Sequence, residues 1–312
     1  MAKLIMTVEK MKDRSLWLQK RREGIGGSDI AVIMGLNPWK SPYTLWAEKT
    51  GIIPPEDLSK NQRVYWGQKN EAAIADWFAE TTGKTLRKRG LLQSCKYPWM
   101  LATVDRQILN ENAGLEIKTA GIEQYKEWAN DAVPAMYIAQ CQWYMAITEC
   151  THWYIAVLIG GNDARWTVIY RDEDYIKKMI EEAKIFWDMV KNRIPPTLDG
   201  TDSTTQSLKT LYPGGQPNPI IINDQNVIDA YHMMKKYEDE EETAKKGKEI
   251  CRQTIMDAMK NHETAEINGN KITWKTQAGK TSFDTNTFKK DQPALYNQYK
   301  KTGSPTRVFR AS

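Results

Sequence analysis

The sequence has 312 residues and a formal net charge of +5 at pH 7, with 41% hydrophobic and 27% charged residues. This composition is typical of a globular protein and excludes an intrinsically disordered chain. The longest apolar stretches, such as residues 153–159, are far shorter than the roughly 20 residues of a membrane-spanning helix. The first nine residues mix acid and base too closely for a secretory signal, and the four cysteines include no C-x-x-C pair. We therefore expect a cytoplasmic protein without a disulfide scaffold, a structural zinc site or a membrane contact.

The first predicted element is a turn at the glycine-rich residues 24–27, followed by a helix that Ser28 caps. No strand pattern precedes this turn and no Gly-Lys-Ser/Thr follows it, so it is not a nucleotide-binding loop. The backbone donors of such a helix start can meet a phosphate. A longer helix is predicted over Gln62–Thr82, where the apolar residues share one stripe. Glu71 lies inside that stripe, and a buried carboxylate is costly unless a cation or a donor meets it.

Two strands with acidic residues come next. Residues 99–105 predict a strand that ends in Asp105, and residues 114–119 predict a second strand after a short turn. Side chains alternate between the two faces of a strand. Glu116 and Lys118 therefore share one face of the second strand.

A helix with one apolar face is predicted from Pro134 onwards. The polar Gln140 lies inside that face, one turn from Tyr144. Strands are then predicted over residues 151–159 and 165–170, and a helix with a capping aspartate follows them.

These patterns divide the chain into three sections. Residues 1–196 alternate helix and strand patterns, as an α/β domain does. Residues 197–222 are polar and rich in Thr, Ser, Gly and Pro, which predicts a linker. Residues 223–312 begin with a long helical region, either one extended helix or a helical hairpin, and continue into a β-hairpin that turns at Asn268-Gly269.

The C-terminal end of the chain is basic. Nine Lys and Arg residues stand against two acids in residues 271–312, whereas residues 201–270 hold eight basic and twelve acidic residues. The density of aromatic residues among these lysines predicts a small folded module, because a disordered arm carries few of them. Its charge would face DNA phosphate or an acidic partner protein, and both alternatives remain open.

The chemistry of the chain depends on Asp105, which is followed after ten residues by Glu116 and then by Lys118. Neighbouring strands would bring two carboxylates and an ammonium group to one point. Carboxylate and backbone carbonyl oxygens are the ligands that Mg²⁺ prefers, and a nearby lysine can hold a water or offset charge in a transition state. This spacing alone also fits a surface salt bridge. The strand context, Glu71 and Gln140 favour the metal site.

Ordered sequence blocks around these residues carry a resemblance to a known family. Residues 17–29 read WLQKRREGIGGSD, residues 35–43 read GLNPWKSPY, and residues 45–51 read LWAEKTG. Gln140 and Tyr144 form the motif Gln-x-x-x-Tyr. The sequence resembles the PD-(D/E)xK nuclease superfamily, and specifically the YqaJ-type phage recombination exonucleases related to lambda exonuclease. The resemblance implies an α/β fold in which helices flank a central mixed sheet, with a helical and small β extension at the C-terminus.

The resemblance also implies the site residues. The catalytic residues that it implies are Glu71, Asp105, Glu116, Lys118 and Gln140. Mg²⁺, or Mn²⁺ in its place, would be held by Asp105, Glu116, Glu71 and the backbone carbonyl of Ile117.

A pocket for the 5′-phosphate of a DNA end is implied as well. Its DNA-binding residues would be Arg21, Ser28, Thr103, Tyr144 and Gln142. Arg22 is a rival to Arg21, because the spacing is ambiguous by one residue. The family has a further arginine shortly after its Glu-x-Lys, and Gln124 replaces it here, which predicts a modest preference for the phosphate.

The function implied by the resemblance is Mg²⁺-dependent 5′-to-3′ digestion of double-stranded DNA ends. The 3′ single strand left behind would serve recombination by annealing, together with a single-strand annealing protein. A homo-oligomer, a ring trimer by resemblance, is also implied. One alternative is a structure-specific or single-strand endonuclease of the same superfamily. Another is a DNA-binding recombination factor without activity, against which the intact acidic residues and lysine argue.

Overall fold

The computed structural model describes residues 2–303 and 307–311, which form two compact units, Met1–Pro213 and Gly214–Ser312. The strands of the first unit are β1 (Ala2–Met6), β2 (Leu86–Arg87), β3 (Leu91–Ser94), β4 (Leu101–Thr103), β5 (Arg106–Ile108), β6 (Ala113–Ala120), β7 (His152–Ile159) and β8 (Asp163–Tyr170). Its α-helices are α1 (Arg14–Arg22), α2 (Gly27–Ile33), α3 (Pro42–Thr50), α4 (Gln62–Thr82), α5 (Ala135–Thr148), α6 (Glu173–Asn192) and α7 (Asp202–Leu211).

The centre of the first unit is a five-stranded sheet in the order β2-β5-β6-β7-β8. Strands β6 and β7 run parallel, and the other neighbouring pairs run antiparallel. A second, antiparallel sheet has the order β1-β3-β4. Helices pack on both faces of the five-stranded sheet, so the predicted α/β fold with a central mixed sheet is confirmed.

Side-chain alternation along β6 and β7 explains why the sheet is covered on both faces. On one face, Leu115 and Ile117 of β6 pack with Phe78 of α4. On the other face, Ile155 and Val157 of β7 belong to the larger core, which also contains α5. Strands buried on both sides are expected where helices flank a sheet. Glu116 and Lys118 point to the α5 side, as the alternation in the sequence predicts.

The predicted helix boundaries are confirmed where capping residues define them. Helix α4 begins and ends at the predicted residues, because the Asn61 side chain accepts from backbone N–H groups at its start and Gly83 adopts φ +70° at its end. Helix α6 is capped by Asp172, whose carboxylate accepts from the backbone N–H of Tyr175 at 2.9 Å.

Two local predictions are wrong. The strand that was expected to run through Asp105 ends at Thr103, and the unpredicted strand β5 begins at Arg106. Strand β4 pairs with β3 while β5 pairs with β6, so Asp105 lies where the chain passes from one sheet to the other. Helix α2 is not capped by Ser28. Instead, the Asp29 carboxylate accepts from the backbone N–H of Gly26 at 2.8 Å, and the Ser28 hydroxyl accepts from Arg21.

Part of the predicted linker over residues 197–222 is helical. Helix α7 lies within it and packs on α3 through a cluster of hydroxyl groups. The Thr44 hydroxyl is 2.7 Å from that of Ser207, and the Thr204 hydroxyl donates to Ser41 at 2.8 Å. The compact first unit therefore continues to Pro213 instead of ending at residue 196. Short polar side chains give this segment the composition of a loop, although Thr204 and Ser207 are buried.

The second unit contains the helices α8 (Gln225–Met259), α9 (Thr285–Asp291) and α10 (Pro293–Tyr299) and the strands β9 (Thr264–Ile267) and β10 (Asn270–Thr273). The long helical region is thus one extended helix, and the hairpin at Asn268-Gly269 is confirmed. Residues 271–303 contain most of β10 and the helices α9 and α10, and none of the described residues in 271–303 and 307–311 is buried. Helices of seven residues are too short to enclose the aromatic side chains. In the described part of the chain, no helix is long and apolar enough to cross a membrane.

Candidate active site

The carboxylates of Asp105 and Glu116 lie together beside β6. The Asp105 carboxylate accepts from the backbone N–H of Ile117 at 2.8 Å, which fixes it against the strand that carries Glu116. Glu116 is buried, and its Oε1 accepts from the Lys118 ammonium at 2.5 Å and from the Gln140 amide at 2.6 Å. The sequence prediction that these residues meet at one point is therefore confirmed in position.

Helix α5 supplies the remaining side chains of this cluster. The Gln140 side-chain oxygen accepts from Lys118 at 3.0 Å, and its nitrogen donates to the Tyr144 hydroxyl at 2.8 Å. The Lys118 ammonium also lies over the Tyr137 ring, 4.7 Å from its centroid. One turn of helix separates each of these three α5 residues from the next, so they form one face that is directed at β6.

The electrostatics of the cluster are those of buried, mutually repelling acids. Burial raises the pKa of the Asp105 carboxyl well above its usual range, and the neighbouring Glu116 carboxylate raises it further. Burial also raises the pKa of Glu116, although Lys118 counteracts this shift. For Lys118, burial alone would lower the pKa, but the attraction of the two carboxylates outweighs it and raises the pKa. The attraction of the two carboxylates therefore keeps the Lys118 side chain positively charged.

The residues present fit a divalent cation. The second carboxylate oxygen of Glu116, Oε2, is buried and has no hydrogen-bond partner among the described residues. A buried acceptor without a partner is costly, and a metal ion would remove that cost. No cluster of three or more His, Cys, Asp or Glu side chains suited to a metal is found in the described part of the chain. Asp105 and Glu116 are the two carboxylates that lie together at this point.

Glu71 does not lie in this cluster. Its carboxylate accepts from the buried Arg106 guanidinium at 2.6 Å, and Lys88 is 3.6 Å away. The side chain is 31% exposed, so the prediction of a buried carboxylate is wrong. Glu71 is still close enough to raise the pKa values of Asp105 and Glu116. Arg106 is the cation that meets this carboxylate.

Next to this cluster is a cavity of about 140 Å³. It is lined by Arg21, Gly26, Gly27, Ser28, Leu91, Leu101, Thr103 and Tyr144. Four of the residues predicted for the DNA phosphate are therefore brought together. A water molecule occupies about 30 Å³ of liquid, so the cavity has room for several waters or for a small polar group such as phosphate.

Tyr144 connects the cavity with the carboxylate cluster. It lines the cavity, and its hydroxyl accepts from Gln140, which also donates to Glu116. Gly27 makes this close approach possible, because a Cβ atom there would lie 2.5 Å from the Tyr144 ring. The cavity and the acids are consequently parts of one continuous site.

Two predicted site residues lie elsewhere. Arg22 does not line the cavity, since its guanidinium packs against Gly51 at the end of α3. Of the two arginines, Arg21 is the one that lines the cavity. Gln142 is buried, and its amide donates to the Tyr170 carbonyl and accepts from the Asp172 backbone N–H. Both ends of that amide are engaged within the protein, at the end of β8 and at the residue that caps α6.

The residues that hold Arg21 were not predicted from the sequence. The Arg21 guanidinium donates to Ser28 at 2.7 Å and to the buried Asp29 at 3.2 Å. Asp29 is also paired with Lys49 at 2.7 Å, and Lys49 donates to the backbone carbonyls of Arg21 and Gly24. The sequence signal was available, because both residues lie within the matched blocks GGSD and EKTG, but the partner of each was not. Tertiary packing alone brings α3 to this loop.

Comparisons with known proteins bear on the fold and on the family of this chain. The solved structure of LHK-Exo in complex with dAMP has a TM-score of 0.50 at 18% identity, covering 62% of this chain and 96% of that one. LHK-Exo is an alkaline exonuclease from Laribacter hongkongensis. This likeness shows that 62% of the chain shares the fold of LHK-Exo.

Comparison of sequences shows the family to which the chain belongs. Residues 16–151 match the model of the YqaJ-like viral recombinase domain. The uncharacterized protein YqaJ of Bacillus subtilis is 36% identical over 295 residues, which cover 92% of this chain and 91% of that protein. The chain belongs to the family of YqaJ-like viral recombinase domains. The predicted resemblance is thereby confirmed, and family and fold together support the prediction of a nuclease.

Proposed function

We propose that this chain is a Mg²⁺-dependent exonuclease that digests double-stranded DNA from its 5′ ends and leaves 3′ single strands. The observation that carries this proposal is the continuity of two features. The buried Glu116, one of whose oxygens has no hydrogen-bond partner among the described residues, and the partly buried Asp105 lie beside a cavity that Arg21 lines, and Gln140 and Tyr144 connect the two. A nuclease that starts at an end needs a cation site for the reacting phosphate and an anchor for the terminal one.

The residues of the cluster have separate tasks in this proposal. Asp105 and Glu116, with the Ile117 carbonyl, would hold Mg²⁺, which when bound polarises the reacting phosphate and the attacking water. Lys118 orients that water or offsets the negative charge that develops on the phosphate oxygens. Gln140 keeps both Glu116 and Lys118 in place through its hydrogen bonds. Glu71 is a lesser contributor, since Arg106 already engages its carboxylate.

The polarity of digestion follows from the anchor. Arg21, Ser28 and Thr103 line the cavity and offer a guanidinium and two hydroxyl groups to a terminal phosphate. Gln124 lies outside this cavity, where its side-chain oxygen accepts from the Gly121 backbone N–H. A site with one arginine supports the modest preference for a 5′-phosphate that the sequence analysis predicts.

Two partners belong to this proposal. Double-stranded DNA ends are the substrate, and an annealing protein would receive the 3′ strand. A homo-oligomer, with a ring trimer as its specific form, remains a prediction. A structure-specific endonuclease of the same superfamily is the alternative function, and it differs by cutting closed circular DNA that contains a suitable junction.

We expect Asp105→Asn and Glu116→Gln each to reduce cleavage of a linear blunt duplex on the order of 10²- to 10³-fold, because each removes a negatively charged oxygen from the cation site. Both substitutions preserve the shape of the side chain. Nucleotide release in Mg²⁺ is measured with the label at the 5′ end and then at the 3′ end, with EDTA as the blank. Asp163→Asn, which alters a carboxylate of the same sheet that pairs with Arg165, should keep full activity.

Binding is measured in parallel in Ca²⁺, whose looser coordination positions water poorly. Both variants should retain binding of the duplex. Cleavage by Glu116→Gln at a tenth of the wild-type rate or more would remove Glu116 from the metal site. Release of the 3′ label before the 5′ label would contradict the proposed polarity.

A further inference from the structure

A second and larger cavity, of about 550 Å³, adjoins the phosphate cavity. We call it the outer groove, and its lining comes from α1, α2, α3, the start of α4 and the loops at residues 37–40 and 55–61. Arg21 and Ser28 line both cavities. Their hydrogen bond of 2.7 Å therefore lies at the boundary, and a phosphate held by these two side chains would be accessible from either side.

The outer groove is positively charged. Its acids Asp29 and Glu48 are neutralised, the first by Lys49 at 2.7 Å and the second by Lys40 at 2.8 Å. Glu56 is the remaining acid of the lining. Arg14 and Arg22 also line the groove, and within the described residues neither has a carboxylate within salt-bridge distance. Unpaired arginines along a groove attract a phosphate backbone.

Aromatic side chains complete the groove. Trp39, in the loop between α2 and α3, is 62% exposed although it lines the groove. The Arg21 guanidinium lies over the ring of Trp17 in α1, with its Cζ atom 5.1 Å from the ring centroid. An exposed tryptophan beside unpaired arginines is the combination on which single-stranded nucleic acid bases stack. The volume lies within the range of sites that hold a ligand of nucleotide size.

We propose that the outer groove binds a single-stranded 5′ extension of the DNA, so that the enzyme also cuts duplexes whose 5′ ends carry an unpaired tail. This inference rests on the proposed function. The phosphate at the end of a strand would occupy only the smaller cavity, and the outer groove would then bind no part of the DNA. When the phosphate at that position lies within a longer strand, the DNA strand continues past Arg21 and Ser28 into the outer groove. The tail then follows Arg14 and Arg22 and places a base on Trp39.

The reaction is the same hydrolysis on a longer strand. Water adds its oxygen to the phosphorus next to the cation site, the bond from that phosphorus to the 3′ oxygen breaks, and this oxygen takes up a proton. The product is an oligonucleotide that contains the whole tail and ends in a 3′-hydroxyl group. The shortened strand keeps a 5′-phosphate and is then digested as an ordinary end.

The experiment compares a blunt 5′-phosphorylated duplex with duplexes that carry 5′ tails of four and eight nucleotides. With full-length wild-type protein in Mg²⁺, the tailed duplexes should release one oligonucleotide slightly longer than the tail. Trp39→Ala and Arg14→Ala should each lower the rate on tailed relative to blunt duplex by about tenfold. Tyr170→Ala removes an exposed aromatic side chain of β8 away from the groove and should leave that ratio unchanged.

A binding readout separates this inference from the proposed function. A 2-aminopurine base within the tail should lose fluorescence on binding to the wild type in Ca²⁺ and regain it with Trp39→Ala, whether or not the DNA is cut. Failure to cut the blunt duplex would contradict the proposed function alone. Digestion of blunt but not of tailed duplexes, or an unchanged ratio in both groove variants, would overturn the inference.

Discussion

At the scale of single residues, the buried pair of Asp29 and Lys49 decides where Arg21 lies. Burial raises the pKa of Asp29, but Lys49 and Arg21 more than compensate and lower it to about 2. Burial lowers the pKa of Lys49, and the Asp29 carboxylate opposes that shift. Each charge is therefore tolerated in the core only because the other is present. The pair fixes the loop before α2, on which the phosphate anchor depends.

We expect Asp29→Asn to destabilise the protein by about 3–5 kcal/mol, because it leaves the Lys49 ammonium buried without a counter-charge. The double variant Asp29→Asn with Lys49→Met should recover most of this free energy of unfolding in urea titrations. Its preference for 5′-phosphorylated over 5′-hydroxyl duplex should nevertheless stay lost, because Arg21 has no carboxylate to hold it. A double variant with the wild-type preference would show that the pair serves stability alone.

The same pair has a defined pH dependence. The folded pKa of Asp29, about 2, lies below its ordinary value of 3.8. Its contribution to stability is therefore complete above about pH 4 and is lost as the pH falls towards 2. Asp29→Asn should show a smaller loss of stability across this interval than the wild type does.

At the scale of secondary structure, elements with strong local signals could be predicted from the sequence. Helix α4 has an apolar stripe, a capping Asn61 and a terminating Gly83, and it was predicted to the residue. Strand β5 has three residues, too few for a period to be visible, and it forms only because β6 offers it a partner. Helix α7 consists largely of Thr and Ser, so its burial depends on hydroxyl partners in α3 that no local pattern reveals.

Helix α7 leads to a prediction about where the first unit ends. Its Leu208 and Leu211 pack against the main core, and burying a leucine fully contributes about 1.5–3 kcal/mol. We expect a fragment of residues 1–213 to unfold cooperatively and a fragment of residues 1–196 to be less stable by about 2–4 kcal/mol. Urea titrations of both fragments measure this difference.

The full-length variant Leu208→Ala with Leu211→Ala is the matched control. It should lose a similar free energy in the first unit while the chain length stays constant. Equal midpoints for the two fragments would show that α7 contributes no stability and that the unit ends near residue 196.

At the scale of the whole molecule, the positions of the site residues could be predicted from the sequence better than those of the residues around them. Asp105, Glu116, Lys118 and Gln140 come together as predicted, because the strand pattern and the helix face specify their directions. Glu71 could not be placed, since its partner Arg106 belongs to the unpredicted strand β5. The outer groove was also missed, because it is assembled from four helices and two loops whose packing no single motif encodes.

The second unit ends in a basic segment whose role the sequence left open. Its basic residues are Lys271, Lys275, Lys280, Lys289, Lys290, Lys300, Lys301, Arg307 and Arg310. Its described residues are not buried, so these charges are accessible to a partner. Each lysine that neutralises a DNA phosphate releases a counterion and steepens the dependence of affinity on salt by about 0.9 in a log–log plot.

We expect deletion of residues 271–312 to lower the slope of log affinity against log salt by roughly two to four, if this segment holds duplex DNA. Replacement of Lys289, Lys290, Lys300 and Lys301 by Gln should give a similar decrease in the complete chain. The control replaces Lys236, Lys245 and Lys246, which α8 pairs with its own glutamates, and should leave the slope nearly unchanged. Binding is titrated in EDTA after all variants are shown to be folded and equal in oligomeric state. An unchanged slope in the deletion would mean that the basic segment contacts a protein, such as the annealing partner, because charge that meets no phosphate releases no counterion.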